Sequence, residues 1–317
     1  MRRLIYLFLC ILVAVSCEHK ELCYDHSHTI NVDVSFDWAN APDAAPKSMS
    51  LYLFSEDGTD HQRYEFVGRE GGTIRVVPGV YHAICLNSDT EAICHRYTDL
   101  HHTYTLTTDP ASLLSGMAAF GVFTRSEPPM AKGTEDESVI SPSEMLWTHQ
   151  MTFVELSEHG QKFVMSPEVS YNHIHLEILN AENLKYTTAV SGTLSGLADG
   201  YRIGTGELSE GLATIPFSLS ITGDRDQLNG DFYTFGHCSA DLSKHILTVY
   251  AVLDDGTQWY HSFDVTDQMH ESDDHIIRIT LDKLPIPEPG PGTGGEGGGG
   301  FVPEVGEWKQ IDITITM

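Results

Sequence analysis

The chain has 317 residues, with 45 acidic against 18 basic side chains and a formal charge of −27 at pH 7. A surface that acidic repels nucleic acid and anionic lipid headgroups, which argues against both as ligands of the folded body.

The first element is an export leader. Arg2 and Arg3 precede an apolar run from Leu4 to Val15, within the ~7–15 residues of a signal peptide core and short of the ~20 that span a bilayer. The run closes on Val13-Ala14-Val15-Ser16-Cys17. Small residues before a cysteine resemble the lipobox of bacterial lipoproteins. There Cys17 takes a diacylglycerol on sulfur and, once residues 1–16 are removed, becomes the N-terminus. Several acyl chains, palmitate among them, at ~0.8 kcal/mol per buried methylene, anchor far more firmly than one. An ordinary signal peptide beside an incidental cysteine is the plainer alternative. Loss of residues 1–16 removes two arginines and no acid, leaving 16 basic against 45 acidic residues, a charge of −29.

Four cysteines then remain: Cys23, Cys85, Cys94 and Cys238. Outside the cytoplasm disulfides persist, and four cysteines allow three pairings. Asn87-Ser88-Asp89 reads as a turn between Cys85 and Cys94, so that pair is the expected bridge, with four free thiols as the alternative. No CxxC is present, which removes the zinc-ribbon reading.

After a tether at residues 17–28, the dominant period is two. Ile30, Val32, Val34 and Phe36 alternate with polar residues, as in a strand with one wet face. Met49–Phe54 and Tyr64–Val67 flank a turn at Glu56-Asp57-Gly58-Thr59 and form a hairpin pattern. Strands are predicted at Thr73–Val77, Val80–Leu86, Thr103–Leu106, Phe120–Phe123 and Thr148–Leu156. A second series starts near Phe163 and runs through His173–Leu179, Thr187–Leu194, Ala213–Ile221, His245–Leu253, Gln258–Val265 and His275–Leu281. Short helices are predicted at Pro110–Met117 and Thr266–Ser272. Many short strands with turn signals between them predict an all-β chain of tandem sandwiches, residues 29–160 and 161–284, jointed near Gly160.

The carboxyl end is separate in character. A Pro/Gly-rich linker covers residues 285–300, and residues 290–300 hold eight glycines. Those eleven residues have an r.m.s. span of roughly 18 Å and an extended reach of ~38 Å. Beyond it, residues 301–317 end in QIDITITM, where Ile311, Ile313, Ile315 and Met317 share one face. A lone alternating strand has no ladder partners and nowhere to bury its isoleucines, so it must add to a sheet edge. Two edges qualify: that of this chain's own second sandwich, or a groove on a neighbouring subunit entered by strand donation.

Chemistry-bearing constellations are sparse. His173 and His175 share a strand face at i, i+2, His26 and His28 repeat the spacing, and His101 and His102 are adjacent. Histidines on wet strand faces explain them, and spacing marks no third ligand, so neither a metal nor another cofactor is implied. Asp224-Arg225-Asp226 and Asp254-Asp255-Gly256 lack the twelve-residue calcium loop and read as turns. No G-x-S-x-G, H-E-x-x-H or phosphate-binding glycine loop occurs, so no catalytic residue is assigned and the chain is not read as an enzyme. Trp38, Trp147, Trp259 and Trp308 are scattered; Trp38 and Trp259 fit a core better than a sugar-binding platform.

The lipobox, LYLFSEDGTD with GGTIRVVPGVYHAICLN, and the terminal GGGGF-VPEV-GEW-KQIDITITM resemble the fimbrillin-like lipoproteins of Bacteroides-type bacteria. That group includes FimB-type fimbrium anchors and relatives of unknown function. The resemblance implies two Greek-key, transthyretin-like sandwiches in tandem, attachment to the outer membrane facing the cell surface, and fimbrial subunits as partners. It also implies a departure. Polymerising stalk subunits of that kind are trimmed after an arginine near the first strand, whereas no arginine lies between Cys17 and Arg63. A retained lipid terminus fits a base or anchor subunit, while the leashed strand resembles stalk chemistry. A glycan-binding or adhesin lipoprotein is the alternative function.

Overall fold

The computed structural model describes residues 28–56, 61–120, 127–237, 244–271, 275–289 and 307–311. Cys17, Cys23, Cys238, His26, Ile313, Ile315 and Met317 lie outside those residues. The fold is all-β. Its first half contains β1 (Ile30–Phe36), β2 (Ser48–Ser55), β3 (His61–Val67), β4 (Gly71–Val76), β5 (Gly79–Asn87), β6 (Cys94–Arg96), β7 (Thr105–Thr107), β8 (Ser138–Val139), β9 (Trp147–Leu156), β10 (Gln161–Met165) and β11 (Glu168–Val169). Its second contains β12 (Asn172–Glu182), β13 (Thr187–Ala198), β14 (Tyr201–Arg202), β15 (Glu207–Leu208), β16 (Leu212–Ser218), β17 (Ser220–Thr222), β18 (Gln227–Thr234), β19 (Ile246–Leu253), β20 (Gln258–Asp264), β21 (Ile276–Pro285) and β22 (Lys309–Gln310).

Period-two alternation drives each half into two facing sheets. In β1, Ile30, Val32, Val34 and Phe36 point inward and the residues between them stay wetter. The first sandwich packs the sheet β10-β1-β4 on β11-β9-β5-β2-β3 around Val32, Met49, Leu51, Leu53, Ala83 and Met165. The second packs β17-β18-β12-β21 on β22-β20-β19-β13-β16-β8 around Ile174, Leu176, Val190, Leu194, Leu247 and Ile277.

The two sandwiches repeat one layout. In each, the opening strand lies parallel to a late strand, β1 with β10 and β12 with β21. Each also has an antiparallel neighbour on its other side, β4 and β18. The second sheets run β3-β2-β5-β9-β11 and β16-β13-β19-β20-β22, so β22 holds the edge place that β11 holds in the first half.

This pairing corrects the predicted joint at Gly160. β10 pairs with β1 and β11 with β9, so residues through Val169 complete the first sandwich, because the alternation of Phe163 and Met165 is spent inside its core. The second series starts at Asn172. The segment between β5 and β9 also departs from expectation. β8 adds parallel to β16 of the second sandwich, and the predicted helix at Pro110–Met117 is a 3-10 turn at Ser115–Phe120. Phe120 ends that turn instead of opening a strand, and residues 121–123 lie outside the described residues. The helix predicted from Thr266 is present as Thr266–His270.

A third core welds the halves. Short strands β15-β14-β7-β6 form one sheet drawn from both. Beneath it lie Tyr52, Phe54, Ile84, Leu86, Tyr104, Leu106, Leu146, Ile203 and Phe235. No helix among the described residues is long and apolar enough to cross a membrane.

Candidate strand-addition edge

β20 is the outermost long strand of the second sandwich, and the segment 307–311 closes its open side. Lys309 and Gln310 run parallel to it opposite Trp259 and Tyr260. The Ile311 N–H donates to the Tyr260 carbonyl at 2.8 Å. The Ile311 carbonyl accepts from His261 Nδ1 at 2.6 Å, which sets the imidazole tautomer with its proton on Nδ1. Ile311 is 5% exposed and joins the core of the second sandwich. Full burial of an aliphatic side chain of this size is worth about 1.5–3 kcal/mol. Lys309 lies over the Trp259 ring, 5.5 Å from its centre.

Trp308 anchors the other face. Its ring meets Tyr250 edge-on at 5.4 Å, beside Met117, Ala189 and Val252. The opposite edge of the same sheet is covered by β8, held by Glu137. That carboxylate accepts from the Gly196 N–H at 3.1 Å and from Thr214 Oγ1 at 2.7 Å. Both edges are therefore closed by two-residue strands from distant parts of the chain, which removes unpaired ladder groups from solvent. Of the four residues predicted to share one buried face, the structure places Ile311 there.

The predicted Cys85–Cys94 bridge is absent: both thiols are free. Cys85 faces the first core, whereas its neighbours Ile84 and Leu86 face the interdomain core together with Ile93. Alternation thus puts Cys85 on the far side of the sheet from the turn that carries Cys94. Burial pushes the Cys85 thiol pKa up. Cys94 sits on β6, its Sγ 3.3 Å from Asp109 Oδ1.

His173 and His175 share one acceptor, Asp231 Oδ1, at 3.0 and 2.8 Å on an exposed face. Burial raises the Asp231 pKa, but the bonds from His175 and His173 outweigh it and hold the carboxyl below its usual range. Trp38 and Trp147 are buried edge-to-face partners. A cleft of about 440 Å³ opens between the halves, lined by Trp147, Tyr171, His173 and Tyr233.

Sequence spacing gave no hint of a further cluster. His237, His245 and His270 converge at one end of the second sandwich, the first beyond β18, the second leading into β19, the third ending the short helix. Their separations along the chain follow no ligand motif. The one available signal was histidine abundance, 17 in the chain.

Tandem all-β sandwiches, welded by a shared sheet and closed at an edge by the chain's own carboxyl segment, define a class of modular β-sandwich proteins. The model of the family described as "Domain of unknown function (DUF5119)" matches residues 16–218, and the chain belongs to that family. A curated protein of Bacteroides ovatus, "Putative fimbrium anchoring subunit Fim4B", is 25% identical over 204 residues, covering 62% of this chain and 54% of that one. The chain thus spans about half the length of the curated relative it matches. The crystal structure of "a putative adhesin from Bacteroides ovatus" overlays with a TM-score of 0.60 at 19% identity, covering 90% of this chain and 94% of that one. The fold is the same. "The fimbrial anchor protein Mfa2 from Porphyromonas gingivalis" overlays with a TM-score of 0.48 at 12% identity, covering 80% and 90%.

Proposed function

We propose that this chain is a lipid-anchored fimbrial subunit at the base of the fibre, joined to its partner by β-strand addition. The carrying observation is the seat of Lys309–Ile311 on β20, with Ile311 buried in the core. That segment is connected to the body by a glycine-rich linker. The same pairing made between two subunits instead of within one joins them with no new contact needed. The name of the curated relative supports the anchoring role, as does the lack of arginine between Cys17 and Arg63. Under this reading Cys17 carries the lipid in the outer membrane, the sandwiches face outward, and Ile311, Ile313, Ile315 and Met317 are the pocket-filling face of the added strand.

Two variants test it. Cys17→Ala should move the protein from the membrane pellet to the soluble fraction. Deletion of 301–317 should abolish the detergent-stable complex with fimbrial subunits that the intact chain forms in its own envelope. A chain that stays pelleted without Cys17, or that copurifies with no surface subunit at all, overturns the proposal.

A second reading, glycan binding, rests on the cleft lined by Tyr171, His173 and Tyr233. A glycan array without hits retires it.

A further inference from the structure

We propose that His237, His245 and His270 form a binding site for a single divalent transition-metal ion, zinc by its ligand chemistry, that pins three separate segments of the second sandwich together. One nitrogen–nitrogen distance and three ring spacings fit such a site. Four-coordinate zinc with Zn–N bonds of about 2.05 Å holds its ligand nitrogens about 3.3 Å apart. His245 Nε2 and His270 Nε2 are 3.2 Å apart. Adding about 1.15 Å from ring nitrogen to ring centre, the same tetrahedron places imidazole centres about 5.2 Å apart. The three observed separations are 5.1 Å for His237–His245, 5.2 Å for His237–His270 and 5.1 Å for His245–His270. One ligand atom from each lies within 4.8 Å of the other two.

The surroundings prepare the ligands. His245 Nδ1 donates to the Ser195 carbonyl at 3.1 Å, leaving the Nε2 lone pair turned to the other two rings. A backbone acceptor on the remote nitrogen is the usual outer partner of a metal-bound imidazole. His245 is fully buried, and a Cβ at Gly196, whose φ is +75°, would sit 2.9 Å from His245 Nδ1. Glycine is thus required where that ring passes the backbone. Without metal, one of the facing Nε2 atoms must carry a proton and donate to the other. Metal binding moves that proton to Nδ1 of His270 and gives both lone pairs to the ion. The fourth position is open to water, since the ligand set here is three imidazoles.

The His173–His175–Asp231 group is the rival site on this chain, and the experiment separates them. Cobalt(II) is titrated into the full chain, purified without a histidine tag, and followed by its visible d–d bands, with zinc as the competitor. The expected result is one equivalent bound with the intense bands of a tetrahedral nitrogen site, displaced by zinc. That signal should be lost in His270→Gln and His237→Gln and kept in His173→Ala/His175→Ala. Thermal melting adds a second readout: zinc should raise the midpoint of the intact chain and leave that of His270→Gln in place. His270 is half-buried at a helix end, so its variant keeps the core intact. Absence of a one-equivalent signal overturns the proposal, as does a signal that survives His270→Gln or disappears with the His173/His175 pair.

Discussion

Trp308 and Ile311 stand three residues apart and grip opposite faces of one sheet. Trp308 packs on Tyr250 outside it, and Ile311 enters the core within. An odd separation along a strand puts two side chains on opposite faces, so this short segment clamps β20 from both sides. Ile311→Ala removes a buried aliphatic group, a change that costs about 2–5 kcal/mol in cores. The lower end is expected here, at a sheet edge. Urea unfolding followed by tryptophan fluorescence should show an earlier transition for the second sandwich. An unshifted midpoint means that the segment contributes nothing to the isolated chain.

His101 gives the weld between the halves an acid-sensitive element. It is buried against Phe54 and His82. Burial first, then His82 and His102, pushes its pKa down to about 4, against about 6.5 in the unfolded chain. Above pH 6.5 both states hold a neutral ring. As pH falls from 6.5 toward 4 only the unfolded chain takes up the proton, and up to roughly 3 kcal/mol of stability is lost. His101→Phe should flatten that limb of the stability–pH curve while leaving neutral pH little changed. Parallel curves for the two proteins between pH 6.5 and 4 would refute the assignment.

Glu137 couples the insertion of the first half to the second sandwich through Gly196 and Thr214. Glu137→Ala leaves a main-chain N–H and a hydroxyl without their acceptor, at a cost of about 1–3 kcal/mol. Faster amide exchange at Gly196 and around β8 should accompany the loss. Unchanged protection there would show that the carboxylate is dispensable.

The thiols should behave as two unlike free cysteines. Iodoacetamide should label Cys94 in the folded chain, because it is half-exposed, and reach Cys85 only on unfolding, because it is buried. Mass spectrometry of a non-reduced digest reads this directly; a peptide pair linked through Cys85 and Cys94 is the contrary result.

Much of the fold was legible because strand alternation is local. β1, β2, β9 and β19 follow from runs such as INVDVSF, whose apolar side has one place to go. Domain limits were less legible: Phe163 and Met165 alternate equally well for either sandwich, and only pairing with β1 assigns them. The Cys85–Cys94 turn failed as a bridge for a related reason. Proximity along the chain says nothing about which face of a sheet a side chain takes once its register is set. Of the candidate strand face, Ile311 was readable from its period, whereas Trp308 looked isolated until the sheet beneath it was in place.

Period and composition, read along the chain, determined the all-β class, the alternation of β1 and the apolar side on which Ile311 is buried. Those are consequences of backbone hydrogen bonding and of apolar side chains seeking burial, both set within a few residues. Tertiary structure decided which edge receives Lys309–Ile311, which insertions close the second sandwich, and that His237, His245 and His270 meet. Most of these meetings join residues tens of positions apart, and only the packing of whole sheets brings them within reach.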